Sequence, residues 1–177
     1  MLFICLYNSF MDFDLHDLFI LAYTLMKNLR IKLKIHHALV MELESQVTGY
    51  QRMLASIKVS KNADTKSSAG DKFETGREMM QMEMDKTEMQ INKANYALEI
   101  LNQLENSESS KTIRLGSLVH CDTGTYYVSI GHGSISVDGV KYYAISLKSP
   151  IGERLFDRKV GDKITFNDRI INIIDIC

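Results

Sequence analysis

Apolar side chains recur at helical spacing over two long stretches of the chain. Both stretches keep a rhythm of alternating four- and three-residue steps, which is typical of a coiled-coil seam. The first seam contains one polar member and runs through His36, Val40, Leu43, Val47, Tyr50, Leu54 and Ile57. The second seam skips one position, at Gly76-Arg77, and runs through Phe73, Met80, Met84, Thr87, Ile91, Ala94, Leu98 and Leu101.

The stretch between the two seams, residues 60–70, is polar and rich in turn-forming residues, so it is expected to interrupt the helix. Two apolar stripes joined by a short loop favour an antiparallel pair of helices. At a rise of 1.5 Å per residue, helices of about 30 residues would form a rod roughly 45 Å long. The pattern therefore predicts an antiparallel coiled-coil hairpin, preceded by a basic, alternating segment at Asn28–Lys34.

The hydrophobic pattern changes from helical to alternating after the polar segment Asn106–Lys111, which we interpret as a linker. Asp138-Gly139 is a strong hairpin signal, and Ser149-Pro150 is typical of the start of a helix, here over 151–156. These signals predict a small antiparallel sheet with one short helix, in about 65 residues. The predicted strands are 118–121, 126–130, 134–137, 140–146, 163–166 and 169–176.

Composition and charge narrow the class of protein only moderately. Of the 177 residues, 45% are hydrophobic and 24% charged, and the net charge of −1 does not indicate a binder of polyanions. The odd number of scattered cysteines argues against a disulfide scaffold and is typical of a reducing cytosol. These cysteines are Cys5, Cys121 and Cys177, and they show no zinc-ligand spacing with the histidines.

Residues 1–25 are apolar, then acidic, then apolar again. This arrangement lacks the basic start and the single apolar core of a secretory signal. Its apolar runs are also shorter than the roughly 20 residues that cross a bilayer. We interpret the segment as a short extra helix or, preferably, as the product of a misplaced start codon, with the functional chain starting at Met26.

Two carboxylates lie where the second predicted helix begins. Asp71 and Glu74 are three residues apart, which places both on one face at the start of a helix. Held at the end of a projecting rod, they could bind a hard cation such as Mg²⁺. The alternative is purely local, because Ser68 with Asp71, or Asp71 with Glu74, fits a capping box.

One stretch of the C-terminal part resembles a known family. The run Tyr143–Gly152, followed by Leu155 and the turn Lys159–Asp162, is similar to the C-terminal domain of the Gre transcript cleavage factors of bacterial RNA polymerase. In that family the domain has an FKBP-like fold and follows an antiparallel coiled coil. The resemblance implies an α+β protein with a helical hairpin followed by an FKBP-like mixed β-sheet domain with one short helix. The expected domain boundaries give an N-terminal extension at 1–25, the helical hairpin at 26–108 and the FKBP-like domain at 109–177.

The predicted tip can be compared with the Gre pattern Gly-Asp-x-x-Glu-Asn-Ala-Glu-Tyr. Gly70, Asp71 and Glu74 match this pattern. The four residues that follow the glutamate all differ from it: they are Thr75, Gly76, Arg77 and Glu78. The two carboxylates are therefore present in altered surroundings.

The resemblance also implies a function. The tip would enter the secondary channel of RNA polymerase, where Asp71 and Glu74 would add oxygen ligands to the polymerase's weakly held second Mg²⁺ and help to orient a water. That water attacks the phosphodiester of backtracked RNA, so the factor would complete another enzyme's active site. The implied partners are bacterial RNA polymerase and nascent RNA, with Ser149, Pro150, Ile151 and Gly152 in the docking surface. We expect a cytoplasmic monomer with no cofactor of its own and no membrane partner.

Three other functions stay open at this point. The protein could bind the secondary channel and regulate polymerase without cleavage, which the altered tip allows. It could be an adaptor that dimerises through its helices, as the unbroken seams and the Met-rich second helix allow. A peptidyl-prolyl isomerase is suggested by analogy of fold alone.

Overall fold

The computed structural model describes residues 14–64, 72–104 and 110–177. It shows an α+β protein in which a long helical region is followed by a six-stranded mixed sheet and one short helix. The helices are α1 (Leu15–Asp64), α2 (Lys72–Leu104) and α3 (Pro150–Leu155). The strands are β1 (Leu118–Cys121), β2 (Gly124–Val128), β3 (Gly133–Val137), β4 (Val140–Ile145), β5 (Lys163–Phe166) and β6 (Arg169–Ile176).

Helices α1 and α2 pack side by side in opposite directions. The Thr87 hydroxyl lies 3.8 Å from the Met53 sulfur, and Lys61 donates a hydrogen bond to the side chain of Gln81. Residues late in α1 thus contact residues early in α2. All the predicted seam positions of α1, and those of α2 from Met80 onward, are buried or half-buried. The helical period read from the apolar residues therefore identified the faces that pack.

Helix α1 begins earlier than the seam indicates. The segment Asn28–Lys34, predicted to alternate ahead of the helix, is itself helical, and α1 reaches 50 residues in length. The prediction failed because it followed only the seam toward α2, whereas α1 buries a second stripe as well. That stripe has helical spacing, consists of Asn28, Lys32, Ile35 and Leu39, and meets the first seam at Leu43.

The sheet has the strand order β3-β4-β2-β1-β6-β5. Four of its five pairs are antiparallel, but β2 and β4 run parallel, with Tyr127 opposite Ala144. The antiparallel sheet predicted from the strand pattern is therefore wrong at this pair, whereas the mixed sheet that the family resemblance implies is confirmed. Tight turns indicate only which consecutive strands pair. Strands β2 and β4 are not consecutive, because β3 lies between them in the sequence, and they become neighbours only in the folded sheet. The predicted Asp138-Gly139 turn is present, and both residues have positive φ, at 52° and 77°.

The sheet buries both of its faces. On one face Leu118, Tyr127 and Ala144 belong to the same hydrophobic cluster as Ile35 and Leu39 of α1. On the other face the alternate residues, including Val119, Val128 and Ile145, pack with Leu155 of α3. Successive residues of a strand point to opposite faces, so one strand can supply both clusters. The predicted boundary between the helical and sheet regions falls at 108/109, outside the described residues, and stays a prediction.

Removing residues 1–25 is expected to leave stability almost unchanged. Every described side chain from Asp14 to Lys27 is exposed, including Phe19 and Tyr23 at 72% and 65% exposure. A chain that begins at Met26 should therefore melt within about 2 °C of the full chain, since no burial among these residues is lost. The measurement is thermal unfolding followed by circular dichroism.

The matched control is a chain that begins at Leu33. It lacks the buried Asn28 and Lys32 as well, and with them the 2.7 Å hydrogen bond from Asn28 Nδ2 to Asp175 Oδ2. This chain should melt several degrees lower. A comparable loss in the chain starting at Met26 would show that residues 1–25 contribute to the folded core.

Candidate functional site

The predicted tip is only partly described. Helix α2 begins at Lys72, and Asp71 lies outside the described residues together with Ser68 and Gly70. Glu74 is in the first turn of α2, and its side chain is exposed. The capping-box interpretation, which needs Ser68 or Asp71, therefore stays a prediction.

Glu74 lies at the end of α2 that is far from the sheet. Ala94 is the first residue of α2 in the cluster that the helices share with the sheet. It follows Glu74 by about 20 residues, which corresponds to roughly 30 Å along a helix axis. The Glu74 carboxylate is thus carried well away from the sheet, and it makes no hydrogen bond or ion pair with another described residue.

A lone exposed carboxylate can assist a metal site without forming one. In the described part of the chain, no three His, Cys, Asp or Glu side chains are grouped so that they could hold a metal ion. Mg²⁺ commonly takes one or two protein carboxylates together with waters and substrate phosphates. Glu74, joined by Asp71 three positions earlier in the sequence, has the chemistry to supplement an ion that another molecule holds.

The second predicted site, Ser149–Gly152, forms the start of α3. Ser149 is the N-cap: its hydroxyl accepts a hydrogen bond from Gly152 N–H at 3.1 Å and donates one to the Ser146 carbonyl at 2.7 Å. Pro150 occupies the first turn, where its missing N–H costs nothing, and it is exposed. The sequence signal for this helix start is confirmed, and the helix itself ends one residue earlier than predicted.

Gly152 is held at very close range against the preceding loop. A Cβ atom at this position would lie 2.0 Å from the Ser146 carbonyl oxygen and 3.0 Å from Leu147 Cα. Both are backbone atoms, which cannot turn aside as a side chain can. Ile151 is half-buried against the cluster under α3. Within Ser149–Gly152 the structure therefore assigns Ser149 and Gly152 to local packing and leaves Pro150 the most accessible to a partner.

Sequence reasoning missed the polar contacts between α1 and the sheet. His36 Nδ1 lies 3.1 Å from the Tyr127 hydroxyl, and His132 Nε2 lies 3.3 Å from Glu42 Oε2. Burial raises the pKa of Tyr127 to about 12, so this hydroxyl stays protonated and able to donate. The available signal was His36 itself, a polar residue in an apolar seam, because a polar residue at such a position needs a partner.

Burial also changes the ionisation of two groups near the start of the second stripe of α1. Loss of hydration lowers the pKa of Lys32, partly opposed by Cys177. Loss of hydration likewise lowers the pKa of His120, partly opposed by Asp175. Both shifts follow from burying a group whose charged form prefers water.

Comparison with known protein families and with curated proteins found no family model and no curated sequence that matches this chain. Among its described helices, none is both long enough and apolar enough to cross a membrane.

Proposed function

We propose that this protein is a transcription elongation factor of the Gre type, which binds bacterial RNA polymerase and stimulates cleavage of backtracked RNA. The observation that carries the proposal is the position of Glu74, exposed in the first turn of α2 and about 30 Å from the core shared with the sheet. A carboxylate at the end of a long helix pair can reach a recessed active site while the sheet stays outside.

The finer features of the fold belong to the same proposal. On this view α1 and α2 form an antiparallel coiled-coil hairpin, supported by the burial of the α1 seam and of the α2 seam from Met80 onward. The sheet with α3 would be an FKBP-like domain, supported by its mixed topology and by the helix that begins at Ser149-Pro150. The protein would act as a cytoplasmic monomer that docks through the hairpin and the exposed side of Ser149–Gly152.

The proposed chemistry takes place in the partner. Mg²⁺ held by the polymerase would supply Lewis-acid chemistry for cleavage of the RNA. Asp71 and Glu74 would contribute carboxylate oxygens that help to hold this ion and orient the attacking water. Arg77, exposed less than one turn after Glu74, would lie close enough to interact with phosphate of the nascent RNA. The protein would not be an enzyme by itself.

The test is a transcript cleavage assay. Purified polymerase is stalled and backtracked on a template, and shortened RNA is followed with and without the full chain. We expect faster cleavage that requires Mg²⁺. Binding to polymerase without faster cleavage at any Mg²⁺ concentration would replace the proposal by a regulator that occupies the channel without cleavage, and absence of binding would overturn it.

A coiled-coil adaptor is the second candidate, and one observation favours it. Met79, Met82 and Met89 of α2 are 67–71% exposed, and unbranched, polarizable methionine side chains suit adaptable protein-binding surfaces. Analytical ultracentrifugation distinguishes the candidates, because self-association through α2 would give a dimer whereas the elongation factor is expected to be a monomer.

A further inference from the structure

A groove of about 740 Å³ lies where both long helices meet the end of the sheet. Its walls come from the middle of α1, the C-terminal half of α2, Leu115 ahead of β1, and two loop segments, 129–132 after β2 and 146–148 after β4. This volume is within the usual range for small-molecule sites. The groove is far from the predicted tip, since Gln90 is the first residue of α2 that lines it.

The lysine side chains that line the groove give it a positive charge. Lys93 of α2 and Lys148 of the loop after β4 line it, and both are exposed. None of the described residues that line it is an aspartate or a glutamate. The carboxylate of Glu42 lies nearby but contacts His132, itself a lining residue. This arrangement is complementary to an anion.

The rest of the lining suits an apolar body. Ile130 and Leu147 come from the sheet side, and Ala97 comes from α2. Tyr50 and Tyr96 add aromatic rings, which offer both apolar surface and a hydroxyl. Amide side chains of glutamine provide donors and acceptors, and they belong to Gln46, Gln90 and Gln103.

Ser129 supplies an independent observation. It lines the groove, it is only 3% exposed, and its hydroxyl has no hydrogen-bond partner among the described residues. Buried polar groups are normally paired, so an unpaired one needs an explanation. The hydroxyl oxygen itself is enclosed, so a bound molecule could provide the partner only after the short Ser129 side chain rotates toward the groove.

We propose that this groove binds a small organic anion with an apolar body, the chemistry shared by nucleoside phosphates and medium-chain carboxylates. The anionic group lies between Lys93 and Lys148, and the apolar body packs on Ile130 and Ala97. A polar atom of the ligand pairs with the Ser129 hydroxyl once that side chain has rotated toward the groove. Because the ligand contacts α2 and the loops that follow β2 and β4, binding stabilises the arrangement of α2 against the sheet region and raises the melting temperature.

The experiment uses the full chain labelled with ¹⁵N and two probes, GTP and decanoate. Amide shifts are expected at 129–132 and 146–148 on addition of at least one probe, with a rise in melting temperature. A response to GTP identifies a nucleoside phosphate site, and a response to decanoate identifies a carboxylate site. The proposal would be overturned if neither probe caused a response at millimolar concentration. It would also be overturned if the amide shifts were confined to the exposed apolar residues that lie between positions 18 and 33 of α1.

Charge reversal localises the site without risk to the core. The variant K93E/K148E should bind the responding probe about tenfold more weakly. The matched control is K159E/K163E, which makes the same change in net charge at exposed positions that do not line the groove. Equal affinities in the two variants would overturn the assignment, because they would mean that only overall charge matters.

Discussion

Replacing Asp71 or Glu74 by alanine is expected to remove most of the stimulated RNA cleavage while the protein stays folded. If the proposed function is right, each substitution deletes one oxygen ligand to a weakly held Mg²⁺, so the occupancy of the shared site should fall about tenfold or more. Stability should fall by no more than about 0.5–2 kcal/mol, the range for a helix cap. Cleavage rates on backtracked complexes and thermal unfolding are measured side by side.

Glu99→Ala is the matched control for these variants. Glu99 is an exposed glutamate on the same helix, on the part that packs near the sheet. Its substitution should change neither cleavage nor stability. If the Asp71 and Glu74 variants lose stability but keep full cleavage activity, both residues are helix caps and the proposed metal role is wrong.

Gly152→Ala is expected to produce the largest loss of stability of any single substitution considered for this chain. The added methyl group would lie 2.0 Å from the Ser146 carbonyl oxygen, so α3 or the loop before it must move. Overpacking of this kind costs about 3 kcal/mol, which corresponds to a fall of roughly 10 °C in melting temperature. Denaturant unfolding, monitored by circular dichroism, measures the change.

Gly131→Ala is the corresponding control, because the methyl group added at Gly131 would meet Ser146 at an ordinary van der Waals distance. Its added Cβ would lie 3.7 Å from the Ser146 hydroxyl oxygen, and stability should change little. Gly49→Ala, in the middle of α1 with no atom within 4 Å, should stabilise the protein by about 0.5–1 kcal/mol. A Gly152→Ala variant as stable as these two would contradict the close packing of α3 on its loop.

Elements specified by local chemistry could be predicted closely from the sequence. Strands β1, β5 and β6 have the bounds read from the alternating pattern, and the N-cap at Ser149 forms as its Ser-Pro signal indicates. Asn167-Asp168, the two turn-forming residues between the predicted strands 163–166 and 169–176, also form a turn, with φ of 50° and 59°. Turns and caps depend on a few adjacent residues, so the information is contained within a short window.

The candidate sites could be predicted less completely. Ser149–Gly152 lies where the sequence placed it, but the geometry gives Gly152 a packing role that no motif revealed. Of the two predicted carboxylates, the structure describes Glu74 alone. The groove with Ser129 was not predicted, since its walls come from five segments that are far apart in the sequence.

By itself the sequence determined the helical and strand periods, the turns at Asp138-Gly139 and Asn167-Asp168, and the faces along which the helices pack. Tertiary structure alone decided that β2 and β4 run parallel, that α1 extends back through Asn28 and Lys32, and that both faces of the sheet are buried. The physical reason is the range of the interactions. Periodicity and capping depend on neighbours within a turn or two, whereas a second buried stripe on α1 has meaning only once the sheet supplies the surface that covers it.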